Sequence, residues 1–301
     1  MSAQDATLPA AAAEQQAGRR REGNRRSRRP STLTVIRWEL RKLVSQKRSY
    51  LGLGIAIVIP LLFVLVESLR GGAHHEGGNP FARYLTQSGL ATPVLILIWT
   101  SPFFLPLIAS LVAGDIVAAE DGNGTLKTIL TRSVDRSQLI IAKAFTALLY
   151  ALLGVFTVAL VATVAGVASW GFHSVITFSG TIVPAGKGLL LIAAAYGVYM
   201  VPLGTIVAIG VLLSTVTRNS AAAVVGTLAV TLMLAIVTLI PGLEGLKPYL
   251  LTTQYQAWQG LLATPTDWSP ILHSLWVCAL YGVPCLIAAY LVFLRRDVAG
   301  G

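Results

Sequence analysis

Side chains able to do chemistry are few in this chain, and their spacing argues against an active site. His74 and His75 are adjacent in a Gly-rich stretch, and His173 and His273 stand alone. Neighbouring histidines can ligate a metal, but a histidine pair without a third histidine or a cysteine is more often solvated. The run Gly180 to Gly188, GTIVPAGKG, resembles a phosphate-binding loop until counted: five residues separate Gly180 from Gly186, one more than the motif allows, and Lys187 is followed by Gly rather than Ser or Thr. Cys278 and Cys285 are seven residues apart, about 10.5 Å of helical rise, too far to bridge. They are expected to be small buried apolar residues. No HExxH, no GxSxG and no carboxylate pair at catalytic spacing occurs, so a hydrolase is unsupported. The expectation is a chain with no catalytic residue, no metal and no bound cofactor.

The elements that would position any site are apolar helices. With 54% hydrophobic and 12% charged residues and a mean hydropathy of +0.70, the chain holds about half the charge a soluble domain needs for its surface. A bilayer core about 30 Å thick takes roughly 20 helical residues, and only helices or closed barrels satisfy their backbone there. Spans are predicted near 50 to 67, 91 to 118, 141 to 168, 188 to 216, 220 to 241 and 271 to 294. Stretches such as Leu148 to Ala168 are apolar on every face, unlike barrel strands. The fold class is therefore an all-α integral membrane protein with six transmembrane helices, residues 50 to 298 forming the membrane domain. Thr217, Arg218, Asn219 and Ser220 leave room only for a tight hairpin between the fourth and fifth spans. Pro93, Pro102 and Pro106 predict kinks in the second.

Charge sets the orientation, because lysine and arginine near span ends are retained in the cytoplasm. With an internal amino terminus, external segments hold only Arg70, Arg83, Lys187 and Lys247 of the 23 basic residues. Both termini are expected in the cytoplasm and the protein in the cytoplasmic membrane. Trp170, Trp258 and Trp268 then fall at external edges, where indole rings settle. Residues 1 to 30, with Arg19, Arg20, Arg21, Arg25, Arg26, Arg28 and Arg29, are expected to be a disordered basic tail. Beside a membrane domain such a tail is a topogenic segment drawn to anionic lipid rather than a nucleic-acid binder. Over 31 to 49, Leu33, Ile36, Leu40, Leu43 and Val44 recur at helical spacing, with Arg37, Glu39, Arg41, Lys42 and Lys47 on the other faces. That pattern predicts an amphipathic helix on the cytoplasmic surface anchored by Trp38, or else a partner-binding helix.

Ionisable groups within a bilayer are expensive and usually functional, and spans three to six nearly lack them. A proton-driven secondary transporter is therefore the weaker alternative, and a non-transport scaffold is another. Asp115 falls at the cytoplasmic end of the second span, where a snorkelling or helix-terminal role is expected. The external segment 242 to 270 holds YLLTTQYQAWQGLL, which could form short helices dipping into the outer leaflet or an ordinary loop.

The segment 119 to 143 is the polar cytoplasmic loop. Gly122, Asn123 and Gly124 would end the second span, and Thr125 could cap a short helix with Leu126, Ile129 and Leu130 on one face. Asp115, Glu120, Gly124-Thr125-Leu126, Leu130-Thr131, Ser133-Val134-Asp135-Arg136 and Lys143 follow an order that resembles the transmembrane subunits of type-two ATP-binding-cassette exporters, drug and antibiotic-resistance permeases included. The likeness extends to WELRKL over Trp38 to Leu43, the six-span plan and the ending FLRRDV, and covers nearly all of 31 to 298. Ser133 departs from the proline common at that turn. The resemblance implies a coupling helix docking on a separate ATPase subunit, with Glu120, Gly124, Thr125, Leu126, Ile129, Leu130 and Arg136 as coupling residues and Glu120 and Arg136 orienting the loop. Arg37, Trp38, Glu39 and Leu40 would belong to the interfacial helix. It also implies a second permease copy or homologue, ATP and Mg held by the partner, membrane lipid as neighbour and no nucleic acid.

Overall fold

The computed structural model describes residues 31–70, 88–122, 124 and 135–295. Helix α1 spans Thr32–Ser45 and begins on a Ser31 cap. Its hydroxyl accepts from the Thr34 amide at 3.4 Å, satisfying a donor that the first turn leaves orphaned. One residue later α2 begins, Lys47–Arg70, so the amphipathic helix is shorter than predicted and the first span longer. The second span is two helices, α3 (Ala91–Thr100) and α4 (Phe104–Ala113), bent by 60° at their break. Then come α5 (Ala118–Gly122), α6 (Arg136–Trp170), α7 (Ala185–Thr217), α8 (Ser220–Val237) and α9 (Ser269–Arg295).

Five helices, α2, α6, α7, α8 and α9, are long and apolar enough to cross a membrane, and the bent α3–α4 pair makes a sixth if it acts as one span. The protein is a mostly helical membrane protein. Two local features add detail to the predicted helical plan. The α6–α7 connection contains a short antiparallel ladder, β1 (Val175–Ile176) with β2 (Ile182–Val183), in register Val175 with Val183. It is favoured by β-branched pairs flanking the Gly180 turn, whose φ is +76°. In addition, only one of the three prolines of the second span sits at its break. Pro93 and Pro106 occupy the third positions of α3 and α4, where an amide has no intrahelical acceptor to lose.

The break frees backbone acceptors that the bundle interior must satisfy. Tyr199 of α7 donates to the Ser101 carbonyl at the break, at 2.8 Å, and Tyr196, nearer the start of α7, donates to the Pro93 carbonyl in the first turn of α3, also at 2.8 Å. Close helix approach rests on small residues. A Cβ on Gly166 of α6 would lie 2.4 Å from the Gly89 carbonyl oxygen, and one on Gly210 of α7 would lie 2.7 Å from the Ala113 Cβ. The hairpin between α7 and α8 is as tight as expected. Arg218 adopts a left-handed φ of 56°, and Asn219 caps α8 by accepting from the Ala222 amide at 3.1 Å.

The segment before α9 folds into 3-10 turns at Lys247–Tyr249 and Thr253–Leu262. The second packs against α7 and α9, with Tyr255, Trp258, Leu261 and Leu262 buried. Trp258, expected at an interfacial edge, is 1% exposed, whereas Trp268 is open at 59%. The difference is that Trp258 lies on the inward face of its turn, beside Phe178 at 6.1 Å between ring centroids.

Candidate functional site

Charged side chains from five parts of the chain meet where α5 leaves the bundle. At the centre is Lys143, in the third turn of α6 and fully buried. Its Nζ donates to Glu120 Oε1 at 2.6 Å, Glu39 Oε2 at 3.1 Å and the Ile116 carbonyl at 3.0 Å. An ammonium has three N–H donors, so none is spare. Lys42 of α1 also pairs with Glu120. Beside this group, Arg48 of α2 pairs with Asp115 and donates to Ser220 Oγ at 2.9 Å, while the Ser220 hydroxyl donates to Asp115. Asp115 thus sits at the amino-terminal end of α8, where backbone N–H groups favour a negative charge. Farther out, Arg218 Nε stands 4.0 Å from Asp121 Oδ2.

Burial explains the pairing. A lone charge in so dry a place would cost several kcal/mol, and opposite charges with their hydrogen bonds filled offset it. The six groups Glu39, Lys42, Arg48, Asp115, Glu120 and Lys143 sum to zero formal charge. A cavity of about 20 Å³ lies among them, lined by Glu39, Lys42, Gln46, Asp115, Glu120 and Thr146.

The backbone of this corner is held as firmly. Ser214 Oγ of α7 accepts from the amides of Val117 and Ala118 at 3.1 and 2.9 Å, capping α5 from another helix. The Tyr150 hydroxyl of α6 donates to the Ser49 carbonyl at 2.9 Å. On the far side of the loop, Arg136 Nη1 donates to the Leu294 carbonyl at 3.1 Å, joining the first residue of α6 to the end of α9. Both roots of the 123–135 connection are therefore anchored in the bundle. Chemically the arrangement offers charge pairing and rigidity. Among the described residues no group of three or more His, Cys, Asp or Glu could hold a metal ion.

The predicted site residues divide sharply. Glu120 is 2% exposed and central. Gly124 is described, with a left-handed φ of +67° and its amide on the Asp121 carbonyl at 3.0 Å, consistent with glycine ending the helix. Thr125, Leu126, Ile129 and Leu130 lie outside the described residues, as do Ser133, Val134, the 1–30 tail, His74, His75 and Arg296 to Val298. The loop is also shorter than 119–143, because α5 runs to Gly122 and α6 starts at Arg136. Lys143, read as opening the third span, lies well inside it.

On α1 the expected apolar face is partly reversed. Leu33 and Val44 are exposed while Val35 and Glu39 are buried; Arg37 and Trp38 are exposed and Leu40 is half-buried. The helix turns Glu39 inward because Lys143 waits on α6. Sequence reading missed Glu39, Lys42, Arg48, Ser214 and Ser220 as partners. One signal could have found them: a lysine within LIIAKAFTALLY must have a counter-charge somewhere if it is buried.

The family model described as "Protein of unknown function (DUF2705)" matches residues 55–299, most of the chain. The protein belongs to that family. Its matched stretch includes Asp115, Glu120, Lys143 and Ser220, while α1 and Arg48 lie before it. No curated protein matches the chain.

Proposed function

We propose that this chain is the permease subunit of an ATP-driven exporter of the type-two ATP-binding-cassette class, moving an apolar or amphipathic compound across the cytoplasmic membrane. A separate ATPase subunit holds ATP and Mg, and a second permease copy or homologue completes the pathway. The excess of lysine and arginine at the α1, α5 and α9 ends supports a cytoplasmic location for both termini and for the 123–135 loop.

The observation that carries the reading is the anchoring of both loop roots, through Glu120 to Lys143 and Lys42, and through Arg136 to Leu294. A push from an ATPase on the loop would not be absorbed locally. It would pass along α5 and α6 as nearly rigid bodies, while the 60° break between α3 and α4 offers a place for the bundle to bend. The chain itself supplies shape and movement, with hydrolysis elsewhere.

Affinity purification of the full chain from its native membrane tests this. An ATPase subunit with a GxxxxGK[ST] loop should copurify with the wild type and be lost when Leu126→Asp and Ile129→Asp are combined. Isolation with no ATPase under mild detergent would remove the assignment. A second reading, a proton-coupled transporter, draws on one observation: buried Glu39 and Glu120 beside Lys143 within the helices, an arrangement that proton relays use. Solute uptake by purified chain in vesicles driven only by a pH gradient would favour it.

A further inference from the structure

Thr146 of α6 breaks a pattern that the other buried threonines of the long helices keep. Thr205, Thr215, Thr227 and Thr231 each donate to the carbonyl four residues earlier, at 2.7 to 3.4 Å, the usual refuge of a hydroxyl within a helix. Thr146 is fully buried, yet its hydroxyl has no hydrogen-bond partner among the described protein atoms. Burying a hydroxyl in that condition is costly. The residue lies about one turn beyond Lys143 along α6, and it lines the cavity of about 20 Å³ enclosed by the charged side chains.

Size and charge limit what this cavity takes. Its 20 Å³ exceeds the roughly 10–15 Å³ that one water needs and leaves no room for a larger solute. A buried water also needs roughly two to four polar partners, and the walls supply the Thr146 hydroxyl, the Asp115 and Glu120 carboxylates and the Gln46 amide. Each carboxylate has about four lone-pair sites, so both can accept from a water and keep their ion pairs. An ion is a poor match. Lys42, Arg48 and Lys143 already balance Glu39, Asp115 and Glu120, and an added charge of either sign would have no counter-charge in a dry site. We infer that the cavity is a binding site for one structural water, which accepts from the Thr146 hydroxyl and donates to Asp115 and Glu120.

The site has a consequence for the whole cluster. Asp115 pairs with Arg48 and accepts from Ser220, while Glu120 pairs with Lys143 and Lys42. A water donating to both carboxylates ties these two groups into one hydrogen-bonded unit. This does not depend on the transport reading.

Thr146→Val tests the site through the sign of its effect, because valine keeps the shape and removes the hydroxyl. A hydroxyl that holds a water is a lost bond in the variant, and the thermal midpoint of the full chain in detergent should fall by about 2 °C. A stranded hydroxyl is a relieved penalty, and the midpoint should rise. A second measurement needs only the wild-type fold. The full chain carrying isotope-labelled threonine is reconstituted in lipid bilayers and studied by water-edited solid-state NMR, with the Thr146 peak assigned by its loss in Thr146→Ser. Magnetisation from water should reach Thr146 several-fold faster than it reaches Thr215, which is equally buried but donates to the Val211 carbonyl. Replacing sodium and potassium with N-methylglucamine should change neither result. A raised midpoint in Thr146→Val, water transfer to Thr146 as slow as to Thr215, or a midpoint or Thr146 resonance that follows sodium or potassium would each overturn the inference, the last by assigning the cavity to a cation.

Discussion

At one end of the bundle six charged side chains from α1, α2, α5, α6 and the α4–α5 junction neutralise one another, whereas at the other end the Thr253–Leu262 turns carry no charge and fill their site with Tyr255, Trp258 and Leu261. The contrast matters because the two kinds of contact fail differently. An ion pair buried in a dry site is demanding in geometry and punishes the loss of one member. Aromatic packing is less directional and loses stability in proportion to the volume removed. The charged end is therefore suited to transmit a displacement without deforming, and the aromatic end to seal by filling space.

Lys143→Met tests the first half and should have the largest effect. It leaves Glu39 without its Lys143 bond and Glu120 with one cation fewer, at a cost of about 3–5 kcal/mol, read as a large fall in thermal midpoint of the detergent-solubilised protein. Restoring much of that loss with Glu39→Gln and Glu120→Gln in the same chain would show that uncompensated charge is the cause. A Lys143→Met protein as stable as wild type would break the comparison.

At the aromatic end, Trp258→Ala should cost about 3–4 kcal/mol by leaving a cavity against Phe178. Unlike the lysine change, it should be largely rescued by Trp258→Phe. If Phe restores nothing, a directional contact rather than volume holds that end.

Tyr199→Phe isolates a single hydrogen bond at the α3–α4 break. Loss of the donor to the Ser101 carbonyl should cost about 1 kcal/mol, measurable as faster amide exchange around residues 101–103. Lys42→Ala should be smallest, below about 1 kcal/mol, because its side chain is 40% exposed and Glu120 keeps Lys143. An effect as large as that of Lys143→Met would mean that Lys42 is the true partner of Glu120.

Much of the helical plan was legible because it follows from composition along the chain. Long apolar runs bounded by polar residues gave α2, α6, α7, α8 and α9 to within a few residues. Gly122 and Gly124 marked where α5 stops, and the polar tetrad at 217–220 marked a tight turn. The bend at Pro102 was legible only as one of three candidates, since which proline matters depends on its place within a helical turn. The candidate site was half legible. Glu120 and Arg136 were named from the loop pattern, but Glu39 on α1 lies 104 residues from Lys143, and no local spacing connects them. The inward rotation of α1 likewise reverses its apolar pattern at Leu33 and Val44, because satisfying a buried lysine outweighs hiding two aliphatic side chains.

The order of the amino acids alone determined that this protein must live in a bilayer and roughly where each helix begins and ends, since both follow from hydropathy and backbone hydrogen bonding, which act locally. Only the tertiary structure decided which charges meet, which side of α1 turns inward and that the second span bends. Those outcomes depend on how helices distant in the chain pack together, where the requirement to pair every buried charge and fill every interior space is met collectively.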